Sequence, residues 1–234
     1  AQPPEVLTSL KEKTRRIEPL GIDLLAVVAF TQVLRDLSPE AFVREYLVRR
    51  LCVRVVVIGY DHGFGKDRSG GLDTMQALGK EYGFEVRFIP PVLVDGNPVS
   101  STRIRHLVAK GDLEDAGRLL GSGYPVVGRV VRGDGRGRQL GFPTANLLTD
   151  DPDKLLPPDG VYATWVYPAS GERYGGVLNL GYRPTFNGRT RTLEAHILNF
   201  EGDLYHQTLG LELVQRARQG AEGVEPRCIE WYDA

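Results

Sequence analysis

Gly128-Arg129-Val130-Val131-Arg132-Gly133-Asp134-Gly135-Arg136-Gly137-Arg138-Gln139-Leu140-Gly141-Phe142-Pro143-Thr144-Ala145-Asn146 is the stretch on which the reading of this chain turns. Its glycines let backbone N–H groups crowd a bound anion, and its arginines add positive charge. A glycine-rich turn by itself also fits a tight hairpin. Pro143 narrows that choice: it biases Phe142 towards extended backbone, after which Thr144 and Asn146 project to one side at a period of two. A hydroxyl and an amide oxygen then converge, the few hard ligands that Mg²⁺ accepts when nucleotide phosphates and waters complete its shell. The competing use of the same side chains is to bond their own backbone in a turn.

On the carboxyl-terminal side, β-prone segments recur at residues 126–131, 161–166, 175–180, 193–198 and 209–214, separated by Gly and Pro turns. That pattern predicts an antiparallel barrel. Along 193–198 the alternation puts Glu194 and His196 on one face and Leu193, Ala195 and Ile197 on the other.

Towards the amino terminus the pattern changes. Ser9 and Glu12 have capping-box spacing before a helix. The run 24–30 reads as a buried strand. Ser38 can cap a helix with Pro39 in its first turn, burying Phe42, Tyr46 and Leu47, and the run 53–58 is apolar on both faces. Strands without alternation, joined by helices, predict a parallel sheet covered on both sides. Residues 1–121 thus read as an α/β, Rossmann-like domain and 122–234 as the barrel, with the boundary near Gly121-Ser122-Gly123. In such a sheet the ligand sits at the strand ends. Gly59 and Asp61, in the loop Gly59-Tyr60-Asp61-His62-Gly63-Phe64-Gly65, occupy that position. In Ser100-Ser101-Thr102-Arg103-Ile104-Arg105, hydroxyls and free N–H groups at a helix start can receive phosphate, with Arg105 as a clamp.

Composition sets the outer limits. The 234 residues are 41% hydrophobic and 25% charged, as expected of a folded chain with a core. A net charge of −1 offers no general basic field for nucleic acid or an anionic membrane, so neither is expected as a partner. Cys52 and Cys228 form no metal or disulfide framework, and no apolar run is long enough to span a bilayer, which together predict a cytoplasmic protein.

Four blocks in order, the Gly128–Asn146 stretch, Gly160-Val161-Tyr162, Asn179-Leu180-Gly181-Tyr182-Arg183-Pro184-Thr185-Phe186 and Leu193-Glu194-Ala195-His196-Ile197-Leu198, resemble the riboflavin kinase family. The resemblance implies a six-stranded barrel that phosphorylates riboflavin to FMN from MgATP. It also implies Thr144 and Asn146 as metal holders, Glu194 as general base, and Gly133, Arg138, Gly141, Pro143, Thr144 and Asn146 around the nucleotide. A flavin- or nucleotide-binding fragment without turnover is the alternative.

The loop at Gly59 and the S-S-T-x-I-R block are similar to the bacterial FMN adenylyltransferase domain, which implies that Gly59, Asp61, Ser100, Ser101, Thr102 and Arg105 contact ATP. That family opens with a strand and an H-x-G-H loop, and no H-x-G-H occurs among His62, His106, His196 and His206. The expectation is an adenylyltransferase domain incomplete at its amino terminus, destabilised or partner-dependent, with self-association among the allowed outcomes. Residues 221–234 lack the helical periodicity expected at the end of the barrel.

Overall fold

The computed structural model describes residues 5–133, 144–185 and 188–217. Along the chain run helix α1 (Leu10–Ile17), the short helices α2 (Gln32–Arg35) and α3 (Pro39–Phe42), strand β1 (Val55–Gly59), helix α4 (Leu72–Tyr82), strand β2 (Glu85–Ile89) and the two-residue strands β3 (Leu93–Val94) and β4 (Asn97–Pro98). Helices α5 (Ser101–Lys110) and α6 (Leu113–Leu120) follow. Then come strands β5 (Tyr124–Val131), β6 (Thr144–Thr149), β7 (Gly160–Tyr167), β8 (Tyr174–Thr185), β9 (Gly188–Ile197) and β10 (Thr208–Arg216). By contact the chain divides into two units, Leu24–Val99 and the combination of Ala1–Asp23 with Ser100–Ala234.

In the second of these units β5 to β10 close an antiparallel barrel in the order β10-β5-β6-β9-β8-β7. Four of the five segments expected from the alternation lie inside barrel strands, and the fifth, 193–198, overruns the end of β9 by one residue. The sixth, β6, carries the Thr144–Asn146 pair whose period of two had already implied extended backbone. Alternate residues fill the interior: Tyr124, Tyr162, Leu178, Leu209 and Leu213 are fully buried, each large side chain contributing about 1.5–3 kcal/mol on leaving water.

Helix α1 belongs to this unit through a buried polar cluster. Ser9 accepts a hydrogen bond from Glu12 N and donates its own N–H to Glu12 Oε2 at 2.8 Å, the capping box expected from the sequence. Glu12 is only 3% exposed. Its Oε1 accepts from Val127 N on β5 at 2.8 Å, and its Oε2 pairs with Lys154 Nζ at 2.7 Å. The Lys154 ammonium also donates to Leu7 O and lies 4.4 Å from the centre of the Tyr124 ring. Burial pushes the Lys154 ammonium below its ordinary value, and the Glu12 carboxylate opposes that shift.

The Leu24–Val99 unit is built on a β-α-β element. Strands β1 and β2, joined through α4, pair in parallel from Val55↔Glu85 to Gly59↔Ile89. Ser38 caps α3 by accepting from Ala41 N at 3.1 Å, and the helix widens to π geometry over Val43–Arg50. Val43, Ile58, Phe64, Met75, Leu78 and Phe84 form the core, with Phe42 and Leu47 packed against it. Tyr46 stacks on Phe42 at 5.5 Å and is only half-buried.

Two expectations for this unit are corrected. Residues 24–30 form no strand, and Leu24, Val27 and Phe30 are 74%, 62% and 77% exposed. The sheet is not covered on both sides either: Val55, Val57, Phe88 and Ile89 are 40%, 62%, 44% and 51% exposed. Apolar residues on both faces of a strand state what it could bury. Burial itself needs flanking strands and helices, and among the described residues β1 pairs with β2 alone.

Candidate functional site

Strand register assembles the site. In an antiparallel sheet, residues directly opposite each other present their side chains on the same face, with Cβ atoms about 4.5–5.5 Å apart. Strand β6 pairs with β9 as Thr144↔His196 and Asn146↔Glu194. Strand β9 pairs on its other side with β8 as Val177↔His196 and Asn179↔Glu194. Two rows therefore cross three strands: Asn146, Glu194 and Asn179 in one, Thr144, His196 and Val177 in the next.

Burial fixes which face these rows occupy. Leu147, Leu193, Ala195, Leu178 and Leu180 alternate with them and are 5%, 5%, 0%, 0% and 1% exposed. The apolar set thus fills the barrel, and the polar rows lie on its outer wall. Thr144, Asn146, Glu194 and His196 are half-buried there, and Asn179 is exposed. The apolar residues Val131 on β5 and Val161 on β7 stand opposite Asn146 and Asn179 at the two ends of the first row.

Gly133 closes on this row. A Cβ built on it would overlap the carboxamide of Asn146, so the backbone leaving β5 passes close against that side chain, and a side chain at 133 would require the amide to move. Two neutral oxygen donors and one carboxylate now share a patch of outer wall. Such a set suits a hydroxyl-bearing substrate and a hard cation brought by phosphates. Arg138, Gly141 and Pro143 lie outside the described residues. Nothing local in the sequence assigns Asn179 a role, because only the β8–β9 register puts it opposite Glu194.

The other expected site residues fall in both units. Gly59 ends β1, and Asp61 stands in the turn after it, its carbonyl accepting from the Arg68 guanidinium at 2.8 Å. That loop is folded on itself by the Phe64–Gly70 bridge, and Gly65, at φ 71°, lies where a Cβ would meet Pro39. Ser100 is the N-cap of α5 and accepts from Arg103 N at 3.3 Å; Ser101 and Thr102 form the first turn. The Arg105 guanidinium donates to Glu5 O at 3.2 Å. Gly59 and Asp61 belong to the Leu24–Val99 unit, and Ser100, Ser101, Thr102 and Arg105 to the barrel unit.

Comparison with known proteins accounts for both parts of the chain. A riboflavin kinase family model matches residues 120–222 and an FAD synthetase family model matches residues 1–103. The class is therefore a flavokinase barrel preceded by an FAD-synthetase-type segment. A curated bifunctional riboflavin kinase/FMN adenylyltransferase from Haemophilus influenzae is 36% identical over 92% of this chain and 69% of its own length. One of the same description from Listeria monocytogenes is 37% identical over 93% and 70%. The chain belongs to the bifunctional riboflavin kinase/FMN adenylyltransferase family. A solved structure described as a macrolide-efflux protein from Streptococcus pneumoniae superposes with a TM-score of 0.79 at 30% identity, covering 94% of this chain and 70% of that one. Among the described residues, no helix is long and apolar enough to cross a membrane.

Proposed function

We propose that the barrel of this chain phosphorylates riboflavin to FMN at the outer-wall row centred on Glu194. The observation that carries the reading is the register Asn146↔Glu194, which sets a carboxylate beside a carboxamide on adjacent strands. The ribityl 5′-hydroxyl oxygen attacks the γ-phosphorus of ATP, the bond from that phosphorus to the β–γ bridging oxygen breaks, and ADP leaves. The hydroxyl proton passes to the Glu194 carboxylate, a general base within hydrogen-bond reach in this pose. Thr144 Oγ1 and Asn146 Oδ1 would hold Mg²⁺, which supplies charge neutralisation to the nucleotide phosphates; a hydroxyl and a carboxamide oxygen are hard, neutral donors that fit that ion. Phosphoryl transfer asks the protein mainly for positioning, and a row fixed by strand pairing provides it. In this reading Gly133, Arg138, Gly141 and Pro143 serve the nucleotide.

The second activity of the family, adenylylation of FMN to FAD, falls to Gly59, Asp61, Ser100, Ser101, Thr102 and Arg105 in this reading. Cytoplasmic operation fits a chain whose Cys52 is a free thiol. Riboflavin, FMN and ATP are its partners.

The test is direct: incubate the full chain with MgATP and riboflavin and resolve FMN and FAD by chromatography. Glu194→Gln lowers the FMN rate by about 10²–10⁴, and Asn146→Ala weakens both rate and nucleotide use. FMN produced equally well by both variants and the unmodified chain rejects the site.

A further inference from the structure

We infer that two copies of this chain associate through the free edge of β1, in an antiparallel pairing centred on Val57. The inference concerns the Leu24–Val99 unit and stands apart from the kinase reading. Among the described residues β1 pairs with β2 alone, and residues 24–30 contribute no strand beside it. Glu85 N donates to Arg54 O at 2.9 Å, which fixes the side to which each residue of β1 turns its backbone. Val56 and Ile58 turn theirs to β2, and Val55, Val57 and Gly59 turn theirs to the open side.

This edge is unguarded. Its sequence, Val-Val-Val-Ile-Gly, holds no charge and no proline, and its register with β2 runs without a bulge. Those are the devices by which proteins keep an edge strand from pairing with another chain. Strand β2 differs: its Glu85 and Arg87 form an ion pair at 2.7 Å. Val55 and Val57 are 40% and 62% exposed. A two-stranded sheet is marginal in water, whereas one of three or more strands with an apolar face is stable.

The sequence around β1 is complementary to itself. A two-fold axis at Val57 sets Val57 opposite Val57 of the other copy, and Val55 opposite its Gly59. Each is a hydrogen-bonded pair, because the backbone groups that meet are the ones turned to the open side. The same register sets Arg54 opposite Tyr60 of the other copy, with Asp61 next along; all three residues are exposed. A cation thus meets an aromatic ring and an acid at both ends of the pairing. The product is one sheet in the order β2-β1-β1-β2. Its interface uses the same patch on both copies and so closes at a dimer.

Sedimentation velocity on the full chain tests the pairing, run over a range of concentrations with Val57→Lys, Val57→Glu and their equimolar mixture. The unmodified chain forms a dimer that dissociates on dilution. Like charges directly opposite each other in a sheet repel and opposite charges attract, so each variant alone raises the dimer dissociation constant by about tenfold or more. Mixing the two brings it back towards that of the unmodified chain. Because both variants are present in the mixture, a loss of strand propensity or of stability cannot produce that recovery. A monomer at every concentration of the unmodified chain overturns the inference. So does a dimer that persists unchanged in both variants, or a mixture that associates no better than its components.

Discussion

A methyl group at Gly133 would stand inside the carboxamide of Asn146. The two residues are close in space because Val131, near the end of β5, pairs with Asn146 on β6. Gly133→Ala must therefore push aside either the Asn146 amide, the movable end of a half-buried side chain, or the departing backbone. Expressed at the nucleotide, that displacement raises KM for ATP by about tenfold while the barrel still folds, read by steady-state kinetics with a melting curve as control. An unchanged KM would show that Asn146 can swing clear without loss, and would detach Gly133 from the site. At this scale the sequence was informative where chemistry is local. The prolyl constraint before Thr144 and the alternation of Glu194 and His196 with apolar neighbours are short-range facts. Asn179 was silent, since its meaning comes from which residue of β9 stands opposite it, and register is a property of two strands.

Between elements, one buried tie is the Glu12–Lys154 pair, both side chains 2% exposed and 142 residues apart. The capping box was legible from Ser9 and Glu12. That the capping carboxylate would also serve a lysine beyond β6 was not, because nothing in the local pattern specifies a partner at that separation. Removing one member of a buried pair leaves an uncompensated charge, so Glu12→Ala lowers stability by about 3–5 kcal/mol, measured by urea unfolding. The double variant Glu12→Leu, Lys154→Met recovers only part of this, since Ser9 N and Val127 N lose the acceptor Glu12 gave them. The Lys154 ammonium is lowered by burial, so the unfolded chain binds more protons between that lowered value and the ordinary 10.5. Stability rises with pH across that window. Loss of the Glu12 carboxylate lowers Lys154 further. The deficit of Glu12→Ala relative to the unmodified chain is accordingly smaller at the alkaline end than at neutral pH, and an equal deficit at both ends would show that Lys154 is not the group left unpaired.

Across the whole molecule, the change from unalternated runs to alternating ones marked the passage from α/β to barrel correctly, because period two is imposed by a sheet with one buried face. Packing partners were not legible in the same way. Residues 1–23 read as the opening of the α/β half, yet 5–23 belong to the barrel unit, tied there by Glu12. Residues 24–30 read as a buried strand and are exposed, because the pattern records burial capacity and the two strands β1 and β2 offer it no cover. A two-stranded sheet is marginal by itself, and an apolar face left open marks a segment that opens at low cost. Chymotrypsin should therefore cut first within 24–30, where Leu24 and Phe30 are exposed on irregular backbone. The amino-terminal piece should then stay with the barrel through size-exclusion chromatography, held by the buried ion pair and the Tyr124 hydroxyl, which reaches Leu7 O at 3.0 Å. In Glu12→Ala the same cut releases that piece, since the ion pair is gone. Survival of 24–30 for as long as the barrel strands would show that its apolar side chains are covered in solution, and retention of the piece in Glu12→Ala would place the tie elsewhere.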